Sequence, residues 1–99
     1  METAVEFQLG VWTQRRFRFL KEHRPVLHTN LLTSDALDAH LQEIDERAEE
    51  WVKRLTNETA QREGITEEMK AADPLAWAQD MSSIQARVRE IINSEIIFV

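Results

Sequence analysis

The 99-residue chain has no cysteine, only two glycines and two prolines, and no long apolar run. The lack of cysteine excludes disulfides, thiolate metal sites and cysteine nucleophiles. No apolar run approaches the roughly eighteen residues that a membrane span requires. The first ten residues also lack the basic region of a signal peptide. We therefore expect a cytoplasmic protein without membrane association.

Residues that carry catalysis are equally scarce. Because Gly10 and Gly64 are the only glycines, there is no glycine-rich phosphate loop. His23, His28 and His40 lack the spacing of a zinc site, and helix caps or solvated faces account for the carboxylates. No nucleophile elbow or catalytic triad occurs. We predict that the protein is not an enzyme and has no catalytic residue, metal site or cofactor.

The size and composition fit one helical domain over residues 1–99. A chain of 99 residues is too short to divide into two bodies with separate cores. Its 42% hydrophobic and 30% charged residues are typical of a folded protein. Residues 1–8 are expected to be a loose lead-in. Val5, Phe7 and Leu9 alternate with polar residues, but no second strand pattern exists to pair with them.

Two long stretches carry heptad-spaced apolar residues and are predicted to be long helices at 34–64 and 74–97. The first stripe consists of Leu37, Leu41, Ile44, Ala48, Trp51 and Leu55. The second consists of Trp77, Met81, Ile84, Val88 and Ile91, widened by Ala78, Ile92 and Ile96. Both stripes are predicted to form the core or a self-association surface. The apolar tail, residues 96–99, is expected to be buried.

Proline, glycine and polar caps divide the rest of the chain. Pro25 ends a first helix and begins a short second one. Residues 33–35 offer three N-cap side chains for the first long helix, and Gly64 is placed to end it. Thr66 caps another short helix, and Asp73 followed by proline starts the last one. We predict an all-α bundle of two short N-terminal helices and two long antiparallel helices, completed by homodimerisation.

The charge is distributed unevenly. Residues 10–30 contain five basic residues and one acidic residue, a net charge of +4 within an overall charge of −6, which leaves −10 for the rest. The basic residues are Arg15, Arg16, Arg18, Lys21 and Arg24. This layout predicts a basic face that meets an acidic partner, a nucleic acid or a second copy.

Two interpretations of the basic helix stay open. It is a contact surface, with Trp12 as an aromatic anchor, or its aromatics are core and its arginines pair with the acidic faces of the long helices. The overall negative charge disfavours a polyanion as partner. A nucleic acid is therefore the less favoured partner.

Several stretches together resemble the small transposon-encoded TnpV proteins. They are Leu9–Trp12, Arg15, Arg18–Pro25, Leu31–Ser34, Ile44–Asp45, Ala48–Glu50, Arg62–Glu67, Lys70–Ala71, Trp77, Met81 and Glu95–Phe98. The chain departs from the family pattern at Asp35, where the family tends to have glycine. It also departs at His28 and His40, which replace tyrosine-like positions, at Ser82–Gln85, where the family has an asparagine-rich run, and in its shorter N-terminal segment. The resemblance implies residence on a mobile element and assigns no catalytic residue.

We therefore expect a non-enzymatic accessory protein of a mobile genetic element that acts through protein–protein contacts, with a partner from the element or the host. The first alternative is a DNA-binding regulator that uses the basic first helix. The second is a small acidic inhibitor of a host defence nuclease, of the anti-CRISPR kind, whose carboxylates imitate phosphates.

Overall fold

The computed structural model describes residues 10–99. The lead-in predicted for residues 1–8 and the alternation of Val5, Phe7 and Leu9 lie outside this range. Within it the chain forms helices and no strand, which confirms the all-α prediction. The elements are α1 (Val11–His23), α2 (Pro25–Thr33), α3 (Leu37–Arg62), α4 (Glu67–Ala72), α5 (Pro74–Ile92) and a terminal π-helix (Asn93–Ile97).

The boundary between α1 and α2 lies at Pro25, as the sequence indicates. Arg24 leaves the helical region, with φ −135° and ψ 57°, because proline disfavours helical dihedrals in the residue before it. Pro25 then occupies the first turn of α2, where its missing N–H costs no hydrogen bond. No residue of α2 is buried. The second helix therefore lies on the surface of the bundle.

The side chains of residues 33–35 do not cap α3, contrary to the sequence-based prediction. The hydroxyl of Thr33 donates to the carbonyls of Thr29 and Asn30, and that of Ser34 donates to the carbonyl of Leu31. These side chains bond the end of α2, while α3 begins after Ala36 without a side-chain cap.

Asp35 adopts a left-handed conformation in this turn, with φ 60°. The amide of Asp35 donates to the carbonyl of Leu32 at 3.2 Å, and the amide of Ala36 donates to that of Leu31 at 2.8 Å. This pair of bonds defines a Schellman motif, in which the left-handed position usually belongs to glycine. An aspartate therefore holds a backbone conformation that costs L-residues free energy.

The same motif ends α3, here with glycine in the left-handed position. Gly64 has φ 73°, and its amide donates to the carbonyl of Gln61 at 3.3 Å. The amide of Ile65 donates to the carbonyl of Ala60 at 2.8 Å. Thr66 then caps α4 by accepting from the amide of Met69, and Asp73 caps α5 by accepting from that of Ala76. Both side-chain caps agree with the sequence.

The last helix continues beyond α5 as a π-helix, which the sequence did not indicate. The amide of Phe98 donates to the carbonyl of Asn93 at 2.8 Å, an i→i+5 bond. Because this turn contains an extra residue, Ile92 and Ile97 lie one turn apart and are both fully buried. Ile96 is buried as well, whereas Phe98 and Val99 are 45% and 48% exposed. The tail is therefore buried only in its first half.

The main core, which we call the large cluster, joins α1, α3, α5 and the π-helix. Its buried members are Trp12, Ile44, Ala48, Ile84, Val88, Ile92, Ile96 and Ile97. Burying each aliphatic side chain contributes about 1.5 to 3 kcal/mol, before conformational entropy is subtracted. Four helical segments therefore close around one apolar centre.

A second core, the small cluster, lies where α1 meets the beginning of α3. Its buried members are Leu20, Leu37 and Leu41, with Phe17 and Leu31 packed against them. Leu37 and Leu41 retain 9% and 8% exposure, whereas Leu20 has none. This end of the bundle is less completely covered.

The predicted apolar stripes are buried to different extents. Leu37, Leu41, Ile44, Ile84 and Val88 are buried. The half-buried members are Trp51, Leu55, Trp77 and Met81. Ile91 is 42% exposed, so its assignment to the core of the chain is wrong, and Ile92 occupies the inward position instead. The buried side chains step by four from Ile84 to Val88 to Ile92, so the buried face rotates by about 40° at each step toward the π-helix, where Ile96 and Ile97 are buried.

Candidate interaction surface

Arg16 is buried inside the bundle and is not available to a partner. It is 5% exposed, and its Nη1 donates to the main-chain carbonyls of Ile97 at 3.0 Å and Val99 at 2.8 Å. Its Nε donates to Nε2 of His40 at 3.2 Å. The prediction of Arg16 as a contact residue is therefore wrong, and its role is to attach the end of the chain to α1.

Burial alters the proton affinity of this pair. It lowers the pKa of Arg16, and the nearby Arg24 charge lowers it further. The pKa of His40 is also lowered, first by burial and then by the Arg16 charge. Because Nε2 of His40 accepts a hydrogen bond, the geometry requires a neutral imidazole at this position.

Trp12 is not an exposed aromatic anchor either. It is 6% exposed and belongs to the large cluster. Arg15 packs over its ring, with the guanidinium carbon 5.4 Å from the ring centroid, and donates to Oδ1 of Asn93 at 3.4 Å. The apolar spacing of the first helix is enough to indicate that Trp12 is core.

The remaining cations of the first segment form a surface, which we call the basic surface. It consists of Arg15, Arg18, Lys21 and Arg24. Arg18, Lys21 and Arg24 are exposed, and Arg15 is half-buried. Lys21 lies over the ring of Phe17, with its Nζ 5.1 Å from the centroid. Four of the five predicted basic contact residues therefore keep some access to solvent.

These cations are not neutralised by the acidic faces of the long helices, contrary to the second interpretation above. Within residues 10–99 the ion pairs join Arg47 to Glu43, Arg54 to Glu58 and Arg87 to Glu63. The first two are bonds along α3, and the third connects the end of α3 to α5. Hydrogen bonding to Arg87 lowers the pKa of Glu63. No ion pair in this part of the chain includes α1.

A shallow aromatic groove adjoins the basic surface, and the sequence reading missed it. It has a volume of about 280 Å³, and its lining includes Arg15, Arg18, Phe19, His23 and Phe98. The ring of Phe19 lies 5.1 Å from that of His23 and 5.6 Å from that of Phe98. Phe98, an aromatic residue in the apolar tail, is the feature of the sequence that indicates such a surface.

Apolar side chains of α2 extend this region. Val26 is 73% exposed, Leu32 58% and Leu27 38%. These residues follow Arg24 directly in the chain, so basic and apolar groups share one end of the molecule. Arginine with exposed aliphatic and aromatic groups is a composition found at protein interfaces.

The other histidines are engaged separately. His23 packs against Phe19, and the ring of His28 contacts that of Phe17 edge-on at 5.6 Å. In the described range, no group of three or more His, Cys, Asp or Glu side chains is arranged to hold a metal ion. Helices long and apolar enough to cross a membrane are likewise absent from residues 10–99.

The packing of α1, α3 and α5 around apolar clusters defines a small helical-bundle protein whose most distinctive surface is basic and apolar. The family model of the transposon-encoded protein TnpV matches residues 1–97 of the chain. The protein belongs to the TnpV family, which confirms the resemblance carried by its sequence motifs. A search of curated proteins finds no match, and neither does a search of solved structures.

Proposed function

We propose that this TnpV-family protein is a non-enzymatic accessory protein of its mobile element, which binds an acidic protein partner through the basic surface. The observation that carries the proposal is that Arg18, Lys21 and Arg24 are exposed and outside the ion pairs of residues 10–99. Exposed cations that are not in an internal ion pair remain available to attract an incoming anion.

Three features favour a protein over a nucleic acid as the occupant. Glu22 lines the aromatic groove together with Arg15 and Arg18, and its carboxylate repels a continuous run of phosphates. The exposed Val26 and Leu32 lose water-exposed apolar area against a protein side chain but have little to gain from a phosphate backbone. The net charge of −6 opposes a polyanion at long range.

We also infer that α3 and α5 lie antiparallel and give this surface a rigid base. Ile44, early in α3, shares the large cluster with Ile96 beyond the end of α5. Glu63, just after α3, bonds to Arg87 in the middle of α5 with distances of 2.7 and 2.9 Å. Moving forward along α3 therefore corresponds to moving backward along α5.

Affinity capture from cells that carry the mobile element tests the proposal. The double variant Arg15→Ala/Arg24→Ala removes two cations of the basic surface and is expected to lose the partner. The matched control Arg47→Ala/Arg54→Ala removes two cations that are paired along α3, and is expected to retain it. Retention of every partner by the first variant would contradict the proposal.

Direct DNA binding is the first alternative, and the same unpaired cations favour it. A gel shift of a labelled duplex at two salt concentrations separates the two functions. A DNA-binding regulator loses affinity steeply with salt, with a slope of about −0.9 for each phosphate contact. No shift at low salt removes this alternative.

The second alternative, an acidic inhibitor of a host defence nuclease, is supported by the outer face of α3. Glu46, Glu49 and Glu50 are exposed, and none is in an ion pair of the described residues. Inhibition of a captured nuclease that disappears in the triple glutamate-to-glutamine variant would favour it. Inhibition that persists in that variant would exclude it.

A further inference from the structure

A second groove lies between α1 and the beginning of α3, directly above the small cluster. It has a volume of about 730 Å³ and is distinct from the aromatic groove beside Phe98. The buried side chains of Thr13, Leu37 and Leu41 form its floor. We call it the α1–α3 groove. Its floor is continuous with the small cluster, whose buried residues come from α1 and α3.

The walls of the groove carry balanced charges. Arg18 and Lys21 contribute two cations from α1, while Glu22 and Asp38 contribute two anions from α1 and α3. A surface with an apolar floor and equal numbers of both charges is complementary to itself. Arg15 and Arg24, the other cations of the basic surface, are by contrast complementary to an acidic partner.

We propose that the α1–α3 groove is the site of self-association, occupied by the α1–α3 groove of a second copy related by a two-fold axis. In a two-fold interface the same surface is used by both copies, so every attractive pair is formed twice. Both small clusters are then covered in a single contact. The dimer uses Arg18 and Lys21 of the basic surface, and it leaves Arg15 and Arg24, which do not line this groove, for the acidic partner proposed above.

The charges also select how the two copies pack. If α1 lay on α1 of the second copy, two walls with a net charge of +1 each would meet, since each carries Arg18, Lys21 and Glu22; if α3 lay on α3, Asp38 would face Asp38. Like charges in direct contact across an interface cost several kcal/mol. Packing of α1 on α3 of the other copy brings Lys21 of each copy near Asp38 of the other. Other occupants are less suitable, because a polyanion meets two carboxylates and a basic segment meets two cations.

Charge-reversal variants mixed together provide the test. Lys21→Glu and Asp38→Lys each create two repulsive pairs in the homodimer, and each is expected to raise the dissociation constant at least about tenfold. In a mixture, the carboxylate introduced at position 21 of one variant meets the ammonium group introduced at position 38 of the other, and the unchanged residues form the second pair. The mixture is therefore expected to dimerise although neither variant does so alone.

Sedimentation equilibrium of the purified full chain, compared with the 11.6 kDa of one copy, measures all of these states. Both positions are exposed, so folding is expected to be retained, and circular dichroism checks it. Lys53→Glu and Glu49→Lys, on the exposed side of α3, serve as matched controls and should leave the dimer intact. A monomeric wild-type chain, single variants that dimerise normally, or a mixture that stays monomeric would each overturn the proposal.

Discussion

The two apolar clusters of this protein differ in how they are closed. The large cluster receives side chains from four helical segments, and Arg16 bonds the chain end across it. The buried members of the small cluster come from α1 and α3, and α2 adds the partly buried Leu31. The large cluster is therefore enclosed on more sides than the small one, whose residues Leu37 and Leu41 also line the α1–α3 groove.

The largest expected difference between the clusters concerns cavity formation. Ile84→Ala in the large cluster should destabilise the protein by about 3 to 5 kcal/mol, because a fully buried side chain leaves a cavity that four segments cannot collapse. Leu37→Ala in the small cluster should cost about 2 to 3 kcal/mol, since that site borders an open groove. Urea denaturation at matched protein concentration measures the free energy of unfolding of both variants. Equal losses of stability would show that the two clusters are equally closed.

The attachment of the chain end at Arg16 is expected to have the next largest effect. Arg16→Ala leaves the carbonyls of Ile97 and Val99 without this donor and should cost about 2 to 3 kcal/mol. Arg16→Lys should recover only part of this loss, because an ammonium group lacks the planar arrangement of donors that reaches both carbonyls and His40. Thermal unfolding of the wild type, Arg16→Lys and Arg16→Ala tests whether their stabilities decrease in that order. A lysine variant as stable as the wild type would argue against the geometric role.

Substitutions at the two left-handed turns are expected to change the stability by smaller amounts, and in opposite directions. Gly64→Ala should destabilise by about 1 to 2 kcal/mol, because φ 73° disfavours a side chain although there is free space around the added methyl group. Asp35→Gly, at the turn beside the small cluster, should stabilise by about 0.5 to 1 kcal/mol. Chemical denaturation measures both values. A destabilised Asp35→Gly variant would indicate that the aspartate side chain makes a compensating contact.

Acidification is expected to have the smallest effect and to act through His40. Burial and the Arg16 charge lower its pKa in the folded state, so its contribution to stability is present above the unfolded-state pKa of about 6.5 and is lost as the pH falls below it. Glu43 opposes this shift, and Arg47 adds to it. The unfolding midpoints of the wild type and of His40→Gln, measured between neutral and mildly acidic pH, isolate the contribution of His40 to the pH dependence of stability. The wild type should lose more stability than the variant, which keeps an acceptor but does not titrate.

Much of the architecture follows from local signals in the sequence. Pro25 determines the break between α1 and α2, Gly64 the end of α3, and Asp73 the start of α5, because each acts through its own backbone or a neighbouring amide. The apolar periodicity likewise identifies the long helices. Such signals are readable because the interaction partners lie within a few residues.

The features that the sequence did not indicate depend on distant contacts. Arg16 bonds to residues about eighty positions away, and only that contact shows that a charged residue belongs inside. The exchange of Ile91 for Ile92 accompanies the rotation of the buried face toward the π-helix, which a heptad pattern does not represent. The π-helix and the aromatic groove at Phe98 arise from the same packing of the chain end. Dimerisation and the partner of the basic surface remain predictions.

The placement of the tryptophans determines which part of the molecule intrinsic fluorescence can report. Trp12 is enclosed in the large cluster, Trp51 is packed against it, and the half-buried Trp77 lies on α5 beside Lys70, whereas the small cluster and its neighbours contain phenylalanine and leucine. Emission therefore follows the opening of one cluster and is insensitive to the other. If the fluorescence transition coincides with loss of helical dichroism, the two ends unfold together. If dichroism changes first, the end formed by α1, α2 and the beginning of α3 has separated earlier.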